Sequence, residues 1–467
     1  MLEFPGSFIT PEPYLLFDFK NQNAISKHPL LGLLNFGPYS EHIGSIPLMP
    51  TIRIGAIYPE GYYKIIKNLV YELSKTHSPF ERKDYLPSFP GFKEIFKKEL
   101  YLLEEEKCIQ LPLHYNKDNK LPHIALAELL SKAVRQISKL SFEFDVLFIY
   151  LPESWSDAFE YQLERFSLHD YIKALTASFY IPAQLIREGS AISYKCRCSV
   201  AWRLSIALYV KSGGVPWRLA IQDEDTAIIG LSYSLRTNPL NQNQEFLTCC
   251  SQVFDSDGTG LEFIAYEADD YSKHGENPYL SRFEMRRVMQ KSLNLYLQKH
   301  SGRPLRKIII HKTTPFKKDE IEGCFDAFPH RTQIELLNVK QSTPWRAINF
   351  EYYKKVSGYP VNRGTVVTLS HNEVLLWTQG LTQLESKRNF YKEGKGIPSP
   401  IAIEQYAGSD SLNEHCRIIM GLTKMNWNHD AYYDRLPVTL AYASTLANTL
   451  RSLPSASSNL YQFKYFM

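Results

Sequence analysis

Between residues 50 and 187, short apolar runs alternate with longer stretches in which apolar residues recur every three or four positions. Residues 52–57 read as a buried strand, and residues 61–74 carry Ile65, Ile66, Leu69, Val70 and Leu73 at helical spacing. Phe89-Pro90-Gly91-Phe92 is a turn, and the charged stretch after it predicts a second helix ending near Glu106. Helical spacing returns over residues 121–140. Residues 145–151 form a buried-type strand stopped by Pro152, residues 167–178 suit a helix, and residues 180–186 a further strand. Parallel strands need crossovers, and helices supply them, so this alternation predicts a parallel, Rossmann-like sheet over about residues 45–210.

The segment Lys211-Ser-Gly-Gly-Val-Pro-Trp217 is rich in turn residues and marks a boundary. Beyond it, strands are predicted at 227–233, 246–253 and 261–266, a helix at 283–299, and a strong strand at 306–311. Two later strands, 365–369 and 374–377, precede a closing helix over 436–453 with Pro437 in its first turn. Strands followed by helices over this length fit a mixed α/β sheet of the RNase H kind. The first 45 residues, rich in Pro, Gly and Asn, read as irregular, with an edge strand at 15–17.

Charge changes this picture locally. The net charge of the 467 residues is only +4, yet residues 282–318 hold eleven Lys or Arg against the single acid Glu284. Residues 186–218 hold six against Glu188. Such stretches suit a phosphate backbone, because each neutralised phosphate releases counterions; a solvated helix face is the plainer alternative. Seven cysteines without CxxC spacing exclude a disulfide framework and a zinc finger, and no HExxH occurs. The start lacks a basic flank with an apolar core, and no apolar run approaches ~18 residues, so a soluble cytoplasmic protein without membrane contact is expected.

His169 and Lys173, spaced i, i+4, share one face of the helix over 167–178. Gln184 follows on the next strand, and Lys211 stands just before Gly213-Gly214. A terminal phosphate needs several donors converging on its oxygens, and Lys, His and a carboxamide are suitable types. The order His169-x-x-x-Lys173, Ile181-Pro-Ala-Gln184, Val210-Lys211-Ser-Gly-Gly214 resembles the guide 5′-phosphate pocket of the Argonaute MID domain. A second Lys that the family often places four residues before the last is Ala207. Further segments fall in PIWI order: Ile229-Gly-Leu-Ser-Tyr233, Ile309-Ile-His-Lys-Thr313, Asn362-Arg-Gly-Thr365, Val374-Leu-Leu-Trp-Thr378, the run from Leu422 to Asn428, and the run from Leu436 to Ala443.

The resemblance implies a Rossmann-like MID domain at 46–215 and an RNase H-like PIWI domain at 216–467, with residues 1–45 packed on both and no PAZ domain, as in the short prokaryotic forms. It implies guide-backbone contacts at Arg363 and Lys424. It also implies a Mg²⁺ ion at the guide phosphate, held in part by the terminal carboxylate of Met467. Slicing in the family needs carboxylates on neighbouring strands to hold two divalent ions. Here Ser232, Thr313 and Tyr442 stand at those places, with Glu267 a candidate for the family's mobile glutamate. The expectation is therefore a guide-binding protein without catalytic residues. Its implied partners are a guide RNA, a target single-stranded DNA and an APAZ-containing effector that forms a heterodimer with it. The effector would be a NAD hydrolase of sirtuin or TIR type, or a nuclease. The alternative is an active guide-directed nuclease that uses other acids.

Overall fold

The structure, a computed structural model, describes residues 6–42, 50–115, 120–164, 166–221, 225–237, 245–268, 270–275, 277–350, 355–384, 389–391, 396–451 and 460–466. The chain opens with a short strand, β1 (Ser7–Ile9). The first sheet is built from β2 (Thr51–Pro59), β3 (Glu99–Leu102), β4 (Ile109–Leu111), β5 (Val146–Leu151) and β6 (Ala183–Arg187). Its order is β6-β5-β2-β3, with β4 also on β2, and every pairing is parallel. The crossovers run through α1 (Tyr63–Leu73), α2 (Pro122–Ile137) and α3 (Leu168–Ser178), and α4 (Arg197–Lys211) closes the unit. All six residues of β5 are buried, as expected of a central parallel strand with both faces covered.

The second sheet contains β7 (Thr226–Thr237), β8 (Glu245–Asp255), β9 (Gly260–Ala268), β10 (Lys307–Lys312) and β11 (Gln333–Lys340). Beyond these lie β12 (Thr365–Thr368), β13 (Glu373–Leu376), β14 (Ile401–Ala407) and β15 (Leu460–Gln462). The order is β1-β12-β13-β14-β11-β10-β7-β8-β9-β15. At its centre an antiparallel trio, β9-β8-β7, continues into the parallel pair β10-β11, which is the RNase H arrangement. Alternation along the strands feeds two cores. Ala227, Ile229, Leu231, Ile308 and Ile310 face α5 (Arg282–Lys299) and α6 (Lys318–Ala327). Ile228 and Ile309 face the other way, toward α7 (Leu412–Leu422) and α8 (Val438–Arg451), in a core continuous with that of the first sheet. Gly230 sits where α8 crosses β7: a Cβ there would lie 1.9 Å from the Thr439 carbonyl oxygen, so only glycine admits the helix. Among the described residues no helix is long and apolar enough to cross a membrane.

Three expectations change. The charged helix after Phe92 stops at Phe96, where Lys97 turns left-handed (φ 55°), and the chain continues as edge strand β3. The N-terminal segment is not irregular: besides β1, paired with β12, Leu15–Leu16 is held between Ile25–Ser26 and Arg218–Leu219. And α4 has no counterpart in the hydrophobic pattern, because thirteen of its fifteen residues are buried and no polar stripe reveals its period.

The N-terminal segment is fastened by Glu12. One carboxylate oxygen accepts from Arg363 Nε (2.9 Å) and the other pairs with Lys424 Nζ (2.5 Å). Arg363 also donates to Thr423 Oγ1 (2.7 Å) and lies 4.1 Å from the Tyr433 ring centre. Burial alone would raise the Glu12 carboxyl, but the two cations hold it below the ordinary value. Both cations are buried, Arg363 at 4% and Lys424 at 2% exposure, so the backbone contacts expected of them give way to an internal ionic triad. Glu12→Ala strips the counter-charge from two buried cations and should cost about 3–5 kcal/mol, read as a fall in the denaturant midpoint. A loss within ~0.5 kcal/mol would mean the triad is not what fastens the segment.

Candidate functional site

Three of the four residues expected at an anion pocket converge. Lys173 projects from the second turn of α3, Gln184 sits on β6, and Lys211 is the last residue of α4. Strand β6 follows α3 directly and α4 packs against it, so one strand brings both helices to the same spot. Lys173 Nζ donates to the Ala183 carbonyl (2.7 Å), and Lys211 Nζ donates to Gln184 Oε1 (2.5 Å). Gln184 is oriented by its own Nε2 donating to the Leu185 carbonyl (3.1 Å). Gly213, with φ 100°, makes the turn that ends α4 at Lys211.

Both lysines are buried, Lys173 at 3% and Lys211 at 1% exposure. Burial lowers the Lys173 ammonium to about 8. Burial, together with the charge of Lys173, pushes Lys211 well below the ordinary lysine value. The four residues bring two ammoniums side by side and include no carboxylate among themselves. Such a site favours an oxyanion with several oxygens. His169 lies one turn earlier on α3, half-exposed, its Nδ1 3.1 Å from Asp170 Oδ1, at the rim rather than beside the ammoniums.

A second location is the end of the β7-β10 pair. The register Leu231↔Lys312 places Ser232 and Thr313 side by side as the next residues of neighbouring parallel strands. Two hydroxyl residues therefore stand side by side at adjacent strand ends. Tyr442 on α8 is buried, and its hydroxyl donates to Asn426 Oδ1 (2.7 Å) while accepting from Trp427 N–H (3.3 Å).

No protein-family description and no curated protein matches the sequence. Solved structures do. The Argonaute of Clostridium butyricum, solved with a guide DNA and a 19-mer target DNA, superposes with a TM-score of 0.64 at 17% identity. That match covers 96% of this chain and 53% of the other. Aquifex aeolicus Argonaute gives 0.61 at 16% identity, covering 100% and 56%. The fold is Argonaute-like. The chain spans just over half the length of these proteins, and the two sheets correspond to the MID and PIWI arrangements.

With that frame, metal chemistry can be tested against the donors present. The two PIWI-like hydroxyls are neutral and do not fit a pair of divalent ions. The MID-like pocket offers two ammoniums, a carboxamide and an imidazole, a donor set for an anion rather than for Mg²⁺. Met467 lies outside the described residues; the preceding turn, Phe463–Tyr465, packs against both α3 and α4. One further cluster groups Glu335, Asp410 and His415 within 4.8 Å. Glu335 there already accepts from the Ser409 and Asp410 N–H groups, Gln333, Gln405 and His415, and Asp410 accepts from Lys307. This is a saturated hydrogen-bond node in the PIWI-like core. The basic run 282–318 is also largely spoken for. Arg282, Arg287, Arg303, Lys307, Lys312 and Lys318 all pair with acids, several supplied by distant segments that a local count cannot see.

The lysine pair sets a pH dependence. The unfolded chain holds the Lys173 proton up to about pH 10.5, while the folded chain without an anion releases it near pH 8. The unfolded state therefore binds more protons between those values, and stability rises with pH across that window. Lys173→Met should raise the melting temperature at pH 7 and flatten this rise. A variant less stable than wild type at pH 7, with the same slope, would show that the ammonium is not strained.

Proposed function

We propose that this chain is the guide-binding subunit of a prokaryotic defence system of the short Argonaute type. It holds the 5′-phosphate of a guide, RNA by resemblance, on Lys173, Lys211 and Gln184 with His169 at the rim. It pairs the guide with complementary single-stranded DNA. It does not cut, because Ser232 and Thr313 stand where the metal-holding acids of a slicer belong. Recognition passes instead to an APAZ-containing effector partner, a NAD hydrolase or a nuclease, as a shift in that partner's equilibrium. The observation that carries the reading is the pair of adjacent buried ammoniums, one within α3 and one at the end of α4, brought together by strand β6. The fold likeness to an Argonaute solved with guide and target DNA supports it.

In the mechanism, the end phosphate brings negative charge to the two lysines, and its binding favours their protonated form. Anchoring one end fixes the register of the strand. Sequence is then read by base pairing, so the protein need recognise only shape and backbone. If Mg²⁺ joins the phosphate, it would lean on phosphate oxygens rather than on these four side chains.

Lys173→Ala should weaken a 5′-phosphorylated guide by about tenfold or more and a 5′-hydroxyl guide much less, measured by fluorescence anisotropy. Equal losses on both guides would remove the pocket assignment. Incubating the purified chain with guide, paired target and Mg²⁺ should leave the target intact; cutting at a fixed position would overturn the non-slicing half of the proposal.

A further inference from the structure

The parallel sheet of the MID-like unit ends at β3, the edge opposite β6 and the lysine pair. In a parallel strand each residue turns its N–H and C=O to the same side, and successive residues alternate. Glu99 N–H donates to the Pro50 carbonyl and Leu103 N–H to the Ile54 carbonyl, so residues 99, 101 and 103 face β2. The peptide groups of Leu100 and Leu102 therefore point away from the sheet, and no hydrogen bond reaches them among the described residues. The strand, Glu99-Leu-Tyr-Leu102, carries neither Pro nor Lys, the residues that usually blunt such an edge.

A cavity of about 510 Å³ runs along this edge, between β3 and α1. Val70, Phe92, Leu100 and Leu102 give it an apolar floor. Tyr63 ties α1 to the end of the strand, its hydroxyl donating to the Leu103 carbonyl (2.8 Å). On the α1 wall, Lys67 and Tyr71 stand one turn apart, and the Lys75 ammonium lies 4.4 Å from the centre of the exposed Tyr71 ring. Other charges along the cavity are answered. Lys93 pairs with Glu99 (2.5 Å), Lys98 is buried and already engaged, and Glu104 faces Lys107. Neither Lys67 nor Lys75 makes an ion pair among the described residues.

An open strand edge, an apolar trough beside it and a cationic wall meet the needs of an extended polypeptide. Its main chain pairs with the edge, every second side chain enters the trough, and an acid answers the lysines. A phosphate backbone would answer the lysines but leave the peptide groups of Leu100 and Leu102 unpaired. We propose that this groove binds an extended, acidic segment of another protein, which adds a strand to the sheet at β3. The site lies at the opposite sheet edge from the lysine pair and stands independently of what that pair binds.

The test uses the full chain. A phage-displayed library of random heptapeptides is selected on it, and the enriched sequences are made with blocked ends and a fluorophore for anisotropy. We expect enriched peptides to carry apolar residues at alternate positions and at least one Asp or Glu. Their affinity should fall about tenfold or more in Lys67→Glu/Lys75→Glu, and equally when alternate peptide amides are N-methylated. Both lysines are exposed, so the melting temperature of that variant should match wild type. No enrichment, a preference for basic peptides, or binding indifferent to both the variant and N-methylation overturns the proposal. Self-association of the chain that the same variant abolishes, read by sedimentation, would assign the edge to a second copy and overturn it as well.

Discussion

Two adjacent ammonium groups taken out of water set the terms for the MID-like unit. Withdrawing each charge costs several kcal/mol, and only good hydrogen bonds or an opposite charge offset that cost. Lys173 and Lys211 have an Ala183 carbonyl and a Gln184 carboxamide, both neutral. Burial holds both groups below ordinary lysine values, and the charge of Lys173 lowers Lys211 further. The arrangement persists because the helices that carry them are pinned elsewhere: Ile172 and Ala177 on α3, and Ile206 and Leu208 on α4, are buried in the large core.

Charge accounting separates this site from other buried charged groups that look similar in a residue count. Glu12 with Arg363 and Lys424 is compensated on all sides, and so is Glu335 with its five donors. Lys312 and Glu320 form a pair at 1% and 0% side-chain exposure, enclosed by Tyr233, Tyr279 and Phe316. Each is complete without a ligand and acts as a fastener. The lysine pair differs in setting two like charges side by side.

How much of this was legible in the sequence follows from the same physics. Strands β2, β5, β7 and β10 announce themselves, because apolar runs bounded by turn residues have few other readings. Helix α4 hides, since burial on all sides erases its period, and with it went the reason Lys211 lies beside Lys173. The pocket residues were found by their order along the chain, since each taken singly is an ordinary polar residue. Arg363 and Lys424 misled because their partner, Glu12, is some 350 or more residues away in sequence, and a basic residue advertises its charge but not its counter-ion. A cavity between the two sheet units draws on Tyr85, Arg203, Gln379 and Tyr433, four separate segments with no shared motif.

The frame of the PIWI-like sheet is set by residues other than those at the strand ends 232 and 313. Its frame is set by Ile228, Ile229, Ile308, Ile309 and Ile310, which pack into the cores on its two faces, and by Gly230 admitting α8. None of these depends on what stands at positions 232 and 313. Two carboxylates at those adjacent strand ends would repel one another unless an ion sat between them, so hydroxyls there lift a like-charge penalty while leaving the register intact. The lysine pocket, on α3, β6 and α4, shares the core with this sheet but none of its strand ends. Which groups stand at positions 232 and 313 is therefore independent of the packing that frames the sheet and seats the lysine pair.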